Sequence, residues 1–169
     1  LNDSGHKVTI ICWARSVSGE PISAPQKEVV NGIHIHRVFS PVSTPEQPLA
    51  KRIFQHIQAK RQLSLVLNSI DSDVIHFHDL DTAVISLFNE MRKPWIYDAH
   101  EDYSGMISDL AWPLPTVATL LERYVVSKSD GIITVSPSIM KRLASYGAKR
   151  RLMIFNSRST EHFSSNVSS

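Results

Sequence analysis

Four short apolar segments of this chain alternate with helical patterns, and this order constrains the fold most strongly. The segments are residues 73–77, 94–98, 131–135 and 152–155. None of them alternates apolar with polar residues as a half-exposed strand does, and this is typical of buried strands in a parallel sheet. Helical patterns lie between them at residues 81–92, 116–129 and 137–146. The sequence therefore predicts an α/β fold, with an open, mostly parallel sheet and helices on both faces.

The first seventy residues add further elements. Strands are predicted at residues 7–13 and 32–38, the second near a sheet edge, and residues 17–31, which contain two prolines, predict a loop. Residues 49–70 predict a helix whose buried face carries Ile53, Ile57, Leu63 and Leu67. Residues 1–6 resemble the end of a helix with Gly5 as its left-handed cap, so we expect the sequence to begin inside a helix.

Composition excludes several classes of protein. The chain has 169 residues and 42% hydrophobic content, which is enough for one domain with a core. Its single Cys12 cannot form an internal disulfide. A net charge of +2 is too small to indicate nucleic-acid binding, and no apolar run approaches the roughly 18 residues of a membrane span. We expect a cytoplasmic protein that binds no nucleic acid.

Histidine and carboxylate side chains follow two of the predicted strands, where such sheets bind ligands. His76, His78, Asp79 and Asp81 close the first strand or open the next helix, and Asp98, His100 and Glu101 close the second strand. Residues two apart on a strand share a face, so His76 should point with His78 and Asp98 with His100. The sequence therefore predicts a site at these two strand ends.

Each of these residues also has a purely structural interpretation. Asp79 or Asp81 can cap the following helix, and His76, which lies deeper in its strand, fits core packing better than a site. His78 is the better candidate for function. His100 beside a carboxylate can bind a sugar hydroxyl or transfer a proton, or it can be buried and structural.

A metal site is a further alternative. The His-x-His-Asp sequence and the His100–Glu101 pair would suit zinc. The two later strands end in Thr134–Ser136 and in Asn156–Ser157, which supply no strong ligand. We therefore expect no metal. Ser136 can cap the helix that starts at Pro137 and ends before Gly147, or it can contact an anionic ligand at that helix N-terminus.

Two groups of basic residues are explained most simply as solvated helix faces, and contact with phosphates or anionic lipid is the alternative. The basic groups are Lys51, Arg52, Lys60 and Arg61, and Lys141, Arg142, Lys149, Arg150 and Arg151.

Residues 103–112 combine glycine with large apolar side chains, as in a lid, a pocket wall or a membrane contact.

Six segments, in this order, resemble the family 4 glycosyltransferases. Residues 5–12 and 32–35 resemble the family's second and third strands. Residues 74–79 (VIHFHD) and 97–101 (YDAHE) resemble the strands that carry its H-x-H-D and D-x-H-E patterns. Residues 130–136 (DGIITVS) resemble its D-x-I-I-x-V-S pattern, and residues 154–163 resemble the segment that leads into its second domain.

The resemblance implies one half of a GT-B enzyme, in which two Rossmann-like domains face each other across a cleft. Residues 1–157 would form part of the N-terminal, acceptor-side domain, and residues 158–169 a linker or disordered tail. Such enzymes transfer a sugar from a nucleotide-sugar donor, mostly with retention and without a catalytic metal or other cofactor. The resemblance makes His100 catalytic, places His78 and Asp79 in the lining of the cleft and puts Ser136 near it. Together with Asp81, Asp98 and Glu101 from the same strand ends, these residues are expected to bind the substrate.

The sequence also departs from the family pattern. The family's first strand with its glycine-rich loop, and its C-terminal domain with a Glu-x7-Glu motif, have no counterpart in these residues. We therefore expect this piece alone to be inactive and the nucleotide-sugar to bind through the other domain. The acceptor would be a glycan, a lipid or a small molecule, and contact with the inner face of a membrane is a further expectation. The alternatives to a glycosyltransferase are a non-catalytic binding module and a metal-dependent hydrolase.

Overall fold

The structure is a computed structural model that describes residues 4–14, 23–39, 47–106 and 113–155. It divides into two compact units, Leu1–Asp73 with Val84–Arg92, and Val74–Ala83 with Lys93–Ser169. The predicted tail, residues 158–169, and most of the apolar loop, residues 107–112, lie outside the described residues. No helix among the described residues is long and apolar enough to cross a membrane.

The first unit contains a three-stranded sheet, one long helix and a short 3₁₀ helix at Val84–Phe88. Its strands are β1 (Thr9–Ala14), β2 (Lys27–Val30) and β3 (Ile33–Phe39), and its helix is α1 (Leu49–Asn68). The strand order is β1-β3-β2. β1 is parallel to β3, and β2 is antiparallel to β3, so the sheet is mixed.

Strand β2 lies inside residues 17–31, which were predicted to form a loop, and that prediction was wrong. Asn31 and Gly32 connect β2 to β3 with φ angles of 50° and 79°. Two left-handed residues are what a tight hairpin turn requires, and Asn-Gly is the strongest short signal for it. β3 pairs with a strand on each side and lies next to the edge strand β2, which agrees with its predicted place near a sheet edge.

Helix α1 confirms the predicted helix, but its buried face differs from the predicted one. Leu63 and Ala59 are buried, whereas Ile53 and Ile57 are 48% and 44% exposed. Lys60 is buried as well, with its ammonium group 5.0 Å from the centroid of the Trp13 ring. Since α1 carries apolar residues on more than one side, the sequence period alone did not identify the face that packs on the sheet.

The second unit is a Rossmann-like α/β unit with a four-stranded, all-parallel sheet flanked by helices, as predicted. The strand order is β4-β5-β6-β7. Its elements in chain order are β4 (Ile75–His78), α2 (Asp79–Ala83), β5 (Trp95–Ala99), α3 (Tyr103–Met106), α4 (Leu114–Lys128), β6 (Gly131–Thr134), α5 (Pro137–Ser145) and β7 (Arg151–Met153).

Two segments near β5 differ from their predictions. The helix predicted at residues 81–92 is a short α2 followed by the 3₁₀ helix, which ends at Phe88. The β-branched Thr82, Val84 and Ile85 disfavour a regular α-helix there. The loop predicted at residues 101–115 contains the single turn α3, and α4 starts within it at Leu114.

The two faces of the parallel sheet differ in burial. Phe77, Trp95, Tyr97 and Thr134 point to one face and are all at least 95% buried, and the rings of Phe77 and Trp95 meet edge to face at 5.5 Å. On β4 the side chains that alternate with Phe77 belong to the two histidines, His76 and His78, and both are exposed. This second face therefore presents polar side chains at the end of the sheet where the candidate site lies.

A buried polar triad holds helices α4 and α5 to β5. Glu122 on α4 is fully buried, accepts a hydrogen bond from the hydroxyl of Tyr97 at 3.1 Å and forms an ion pair with Arg142 on α5. Burial, and then the charge of Glu122, raise the pKa of Tyr97. Burial acts to lower the pKa of Arg142, but the hydrogen bond and charge of Glu122 outweigh it and raise that pKa.

Candidate functional site

Three imidazole rings converge on one carboxylate oxygen at the carboxyl end of the parallel sheet. Asp98 Oδ2 lies 3.0 Å from His76 Nε2, 3.1 Å from His100 Nε2 and 3.5 Å from His78 Nδ1. His76 Nε2 and Asp98 Oδ2 form a hydrogen bond, and His100 Nε2 lies within ion-pair distance of the same oxygen. Asp98 is therefore the centre of the site, and the histidines surround it.

The strand register brings these four residues together. His78 pairs with Asp98 across β4 and β5, and His76 pairs with Ile96, so all of them belong to the same face. The rings of His76 and His78 are stacked, with centroids 4.5 Å apart and planes 13° apart. His100 follows β5 by one residue, and its ring centroid lies 6.0 Å from that of His78. The predicted sharing of faces is confirmed.

Burial within the site is graded from carboxylate to solvent. The side chain of Asp98 is 7% exposed, those of His100 and His76 are 33% and 35% exposed, and that of His78 is 65% exposed. The second oxygen of Asp98, Oδ1, is buried and has no hydrogen-bond partner among the described residues. A buried carboxylate beneath three partly exposed imidazoles fixes the orientation of those rings and leaves part of each ring accessible.

Asp79 connects the ends of β4 and β5. Its Oδ1 accepts hydrogen bonds from the backbone N–H groups of His100, at 2.9 Å, and Glu101, at 3.1 Å. Asp79 has a φ angle of 60°, a left-handed conformation that a non-glycine residue adopts at a cost. The contacts give Asp79 the role of a clamp that fixes the backbone at His100.

Asp81 and Glu101 lie beside this clamp. Asp81 is close to Tyr103, whose pKa is raised by burial and then by the charges of Asp81 and Asp79. Glu101 is exposed and is held through its backbone N–H. The structure therefore brings the side chains of His78 and His100 to Asp98 and joins Asp79 to the backbone of His100. It places Asp81 close to Tyr103.

Ser136 caps helix α5, as one of its two interpretations predicted. Its Oγ accepts a hydrogen bond from the N–H of Ile139 at 3.3 Å and lies 3.1 Å from the hydroxyl of Ser138. A serine that satisfies a free N–H in the first helical turn stabilises the helix start. These contacts account for Ser136 without a ligand.

His76 is the member of the site that the sequence interpretation assigned to the core. Its ring lies 3.0 Å from Asp98 Oδ2 and is stacked on His78. The signal that would have found it is the alternation on β4: once His78 is assigned to a polar face, His76 must share that face.

Two members of the basic groups are used within the fold. Lys60 is buried over Trp13, and Arg142 pairs with Glu122 and, at 3.2 Å, with Asp102. Lys51, Arg61, Lys141, Lys149, Arg150 and Arg151 are exposed.

The chain matches one family and a set of solved structures. The model of Glycosyltransferase Family 4 matches residues 1–156. Two structures of sucrose-phosphate synthase from Thermosynechococcus elongatus have TM-scores of 0.64 and 0.62, at 14% and 13% identity over 95% and 96% of this chain. This chain covers 40% of the first of those chains and 82% of the second. A search of curated proteins found no significant match.

The family model matches nearly the whole sequence, and the solved structures have a similar fold. The chain belongs to glycosyltransferase family 4. It has the α/β architecture of one part of a GT-B glycosyltransferase, and it spans two fifths of the length of the first sucrose-phosphate synthase chain. The resemblance inferred from the sequence segments is therefore confirmed at the level of family and fold.

Proposed function

We propose that this chain forms the acceptor-side part of a retaining glycosyltransferase that uses a nucleotide-sugar donor. Membership of glycosyltransferase family 4 supports transfer of a sugar, and the observation that carries the proposal is the Asp98–His100 contact of 3.1 Å at the open end of the sheet. The sucrose-phosphate synthases that share the fold are, by name, enzymes that make a sugar phosphate. The donor would bind to a further part of the enzyme.

In this proposal His100 contacts the reacting acceptor hydroxyl or the transferred sugar. If Nε2 donates to Asp98, a neutral ring keeps Nδ1 as an acceptor for a hydroxyl proton. Asp98 is the positioning residue that sets this tautomer and turns the ring. Such acid–base assistance contributes typically about 10²–10⁴-fold to a rate.

His78 is the most exposed of the three imidazoles and binds a further hydroxyl in this proposal. Asp79 acts indirectly, because its carboxylate Oδ1 is engaged by the backbone at His100 and Glu101. Orientation of this kind matters because a small displacement of a reacting group lowers the rate strongly. No metal or other cofactor is required for transfer.

The test uses the protein expressed from its complete natural reading frame and measures nucleotide release from a panel of nucleoside-diphosphate sugars. We expect His100→Asn to lower kcat by about 10²-fold or more with a smaller change in KM. His6→Asn, which alters an exposed histidine before β1, should leave both constants unchanged. NMR of the product should show a retained anomeric configuration.

Two results would reject the proposal. The first is a complete protein that neither binds nor turns over any nucleotide-sugar, which would favour a binding module. The second is a His100→Asn variant with an unchanged kcat, which would remove His100 from the reaction.

Helix α1 supports a second proposal, which is peripheral contact with an anionic membrane. Leu49, Phe54 and Ile57 are exposed, and the helix carries basic residues and no acidic ones. Apolar and basic side chains together are the pattern of a helix that lies in a lipid interface. Co-sedimentation with phosphatidylserine vesicles should be lost in Phe54→Ser and retained in His6→Asn; absence of binding by the parent chain rejects this contact.

A further inference from the structure

We propose that His76, His78 and Asp98 form a binding site for a divalent transition-metal ion of the zinc type. One ring nitrogen of each histidine and one carboxylate oxygen of Asp98 lie within 4.8 Å of one another. The expectation of no metal site rested on the lack of ligands at the later strands. The structure draws all three ligands from β4 and β5 alone.

The distances fit a single ion. Zinc binds imidazole nitrogen and carboxylate oxygen at about 2.0–2.2 Å, so two ligands of a tetrahedral ion lie about 3.3 Å apart. Asp98 Oδ2 lies 3.0 Å from His76 Nε2 and 3.5 Å from His78 Nδ1, on either side of that value. The rings of His76 and His78 are stacked with planes 13° apart, so they must rotate to point a nitrogen of each at one ion beside Asp98.

The charge of the site also favours a cation. Asp98 is a buried carboxylate whose Oδ1 has no hydrogen-bond partner among the described residues. A buried polar atom without a partner costs about 1–3 kcal/mol, and a bound cation beside the carboxylate offsets part of that cost. His76 and His78 are partly exposed, at 35% and 65%, so an ion has a path from solvent.

The ligand types select the metal. Two imidazoles and one carboxylate suit zinc, cobalt or nickel, whereas magnesium and calcium require oxygen ligands. Three protein ligands leave a fourth tetrahedral position for water or a substrate oxygen. We therefore expect Zn²⁺ to bind in the presence of excess Mg²⁺.

The metal site and the proposed transfer share one atom. Asp98 Oδ2 is also 3.1 Å from His100 Nε2. An ion that binds this oxygen therefore replaces its contact with the His100 ring. If the proposed function holds, Zn²⁺ inhibits transfer by the complete protein, and a chelator restores it. Metal binding itself does not depend on that function.

Titration calorimetry with ZnCl₂ on the purified, metal-free chain tests the site. We expect saturable binding of one equivalent, weakened at least about tenfold in His76→Gln and in His78→Gln. His6→Gln, which alters a histidine outside the cluster, is the control with unchanged affinity. His100→Asn keeps all three ligands and should still bind one equivalent of Zn²⁺. Thermal unfolding of each variant checks that it folds as the parent does.

The proposal is overturned by any of three results: no saturable heat under a large excess of Zn²⁺, equal affinity in both ligand variants and the parent, or displacement of Zn²⁺ by Mg²⁺. Failure here is distinct from failure of the transferase, because His100→Asn should lower the kcat of transfer by about 10²-fold or more and still bind Zn²⁺. A chain that binds Zn²⁺ while the complete protein transfers no sugar would reject only the proposed function.

Discussion

The carboxylate of Asp79 accepts a hydrogen bond from the backbone N–H of His100 across 2.9 Å, and this bond joins the ends of two neighbouring strands. The same oxygen accepts from Glu101, so one side chain sets the path of the backbone where β5 ends. Because Asp79 directly follows β4, any displacement of its carboxylate is transmitted to His100. The position of the imidazole thus depends on a residue 21 positions earlier in the chain.

Asp79→Ala should lower the free energy of unfolding by about 2–3 kcal/mol, since a charged acceptor with two N–H donors is lost. Asp79→Asn should cost about 1 kcal/mol, because asparagine keeps an acceptor and tolerates the left-handed φ angle of 60°. Urea denaturation of the two variants measures both. Asp73→Ala, at an exposed carboxylate before β4, is the control and should change stability by less than about 0.5 kcal/mol. Equal losses in the two Asp79 variants would contradict this account of the clamp.

Tyr97 should make stability fall at alkaline pH. Its pKa is raised by burial and by Glu122, so above about pH 10 the unfolded chain loses this proton while the folded chain keeps it. The unfolded state then binds fewer protons, and stability falls by about 1.4 kcal/mol per pH unit for this group.

Tyr97→Phe removes that dependence. It should cost about 1 kcal/mol at neutral pH, where the hydrogen bond to Glu122 is lost, and it should flatten the decline above pH 10. Urea denaturation of both proteins between about pH 8 and pH 11 measures the difference. Parallel declines in the two proteins would show that Tyr97 does not titrate as its burial implies.

The Glu122–Arg142 pair should behave as a buried ion pair. Arg142→Met leaves the fully buried Glu122 carboxylate without its cation and should cost about 3–5 kcal/mol. Arg142→Met combined with Glu122→Leu should recover a large part of that loss, because no buried charge remains. The matched surface pair is Arg92 with Glu90, 3.9 Å apart and 85% and 91% exposed, where Arg92→Met should cost less than about 1 kcal/mol. Similar losses of stability in Arg142→Met and Arg92→Met would contradict the distinction between a buried and a surface ion pair.

Gly147 should resist substitution for a reason of backbone conformation alone. It follows α5 with a φ angle of 91°, and a Cβ added there would meet nothing within 4 Å. Gly147→Ala should therefore cost about 1 kcal/mol through the left-handed backbone. Gly131→Ala on β6 should be neutral within about 0.5 kcal/mol, since its Cβ would lie 4.0 Å from Arg150 Cβ in ordinary contact. Thermal unfolding measures the loss of stability in both variants. A larger loss in Gly131→Ala than in Gly147→Ala would contradict this explanation.

Local signals in the sequence predicted the strands and helices that position the site. The apolar segments that lead to His78 and His100 form β4 and β5. Helix α5 begins directly after Ser136 and ends before Gly147, as expected. These features depend on neighbouring residues, so the sequence contains the required information. The β2–β3 hairpin was equally local, and the Asn31–Gly32 turn that marks it was missed.

The sequence by itself determined which polar residues close β4 and β5 and which of them share a face, because the two-residue period of a strand is a property of the backbone. Only the tertiary structure decided that Asp98 is buried beneath three imidazoles, that His76 belongs with them and that Asp79 holds His100. These contacts depend on the register between strands about 20 residues apart in the chain. Packing over the whole sheet sets that register, because the alignment depends on pairing energies summed along the strands. No single local preference fixes it.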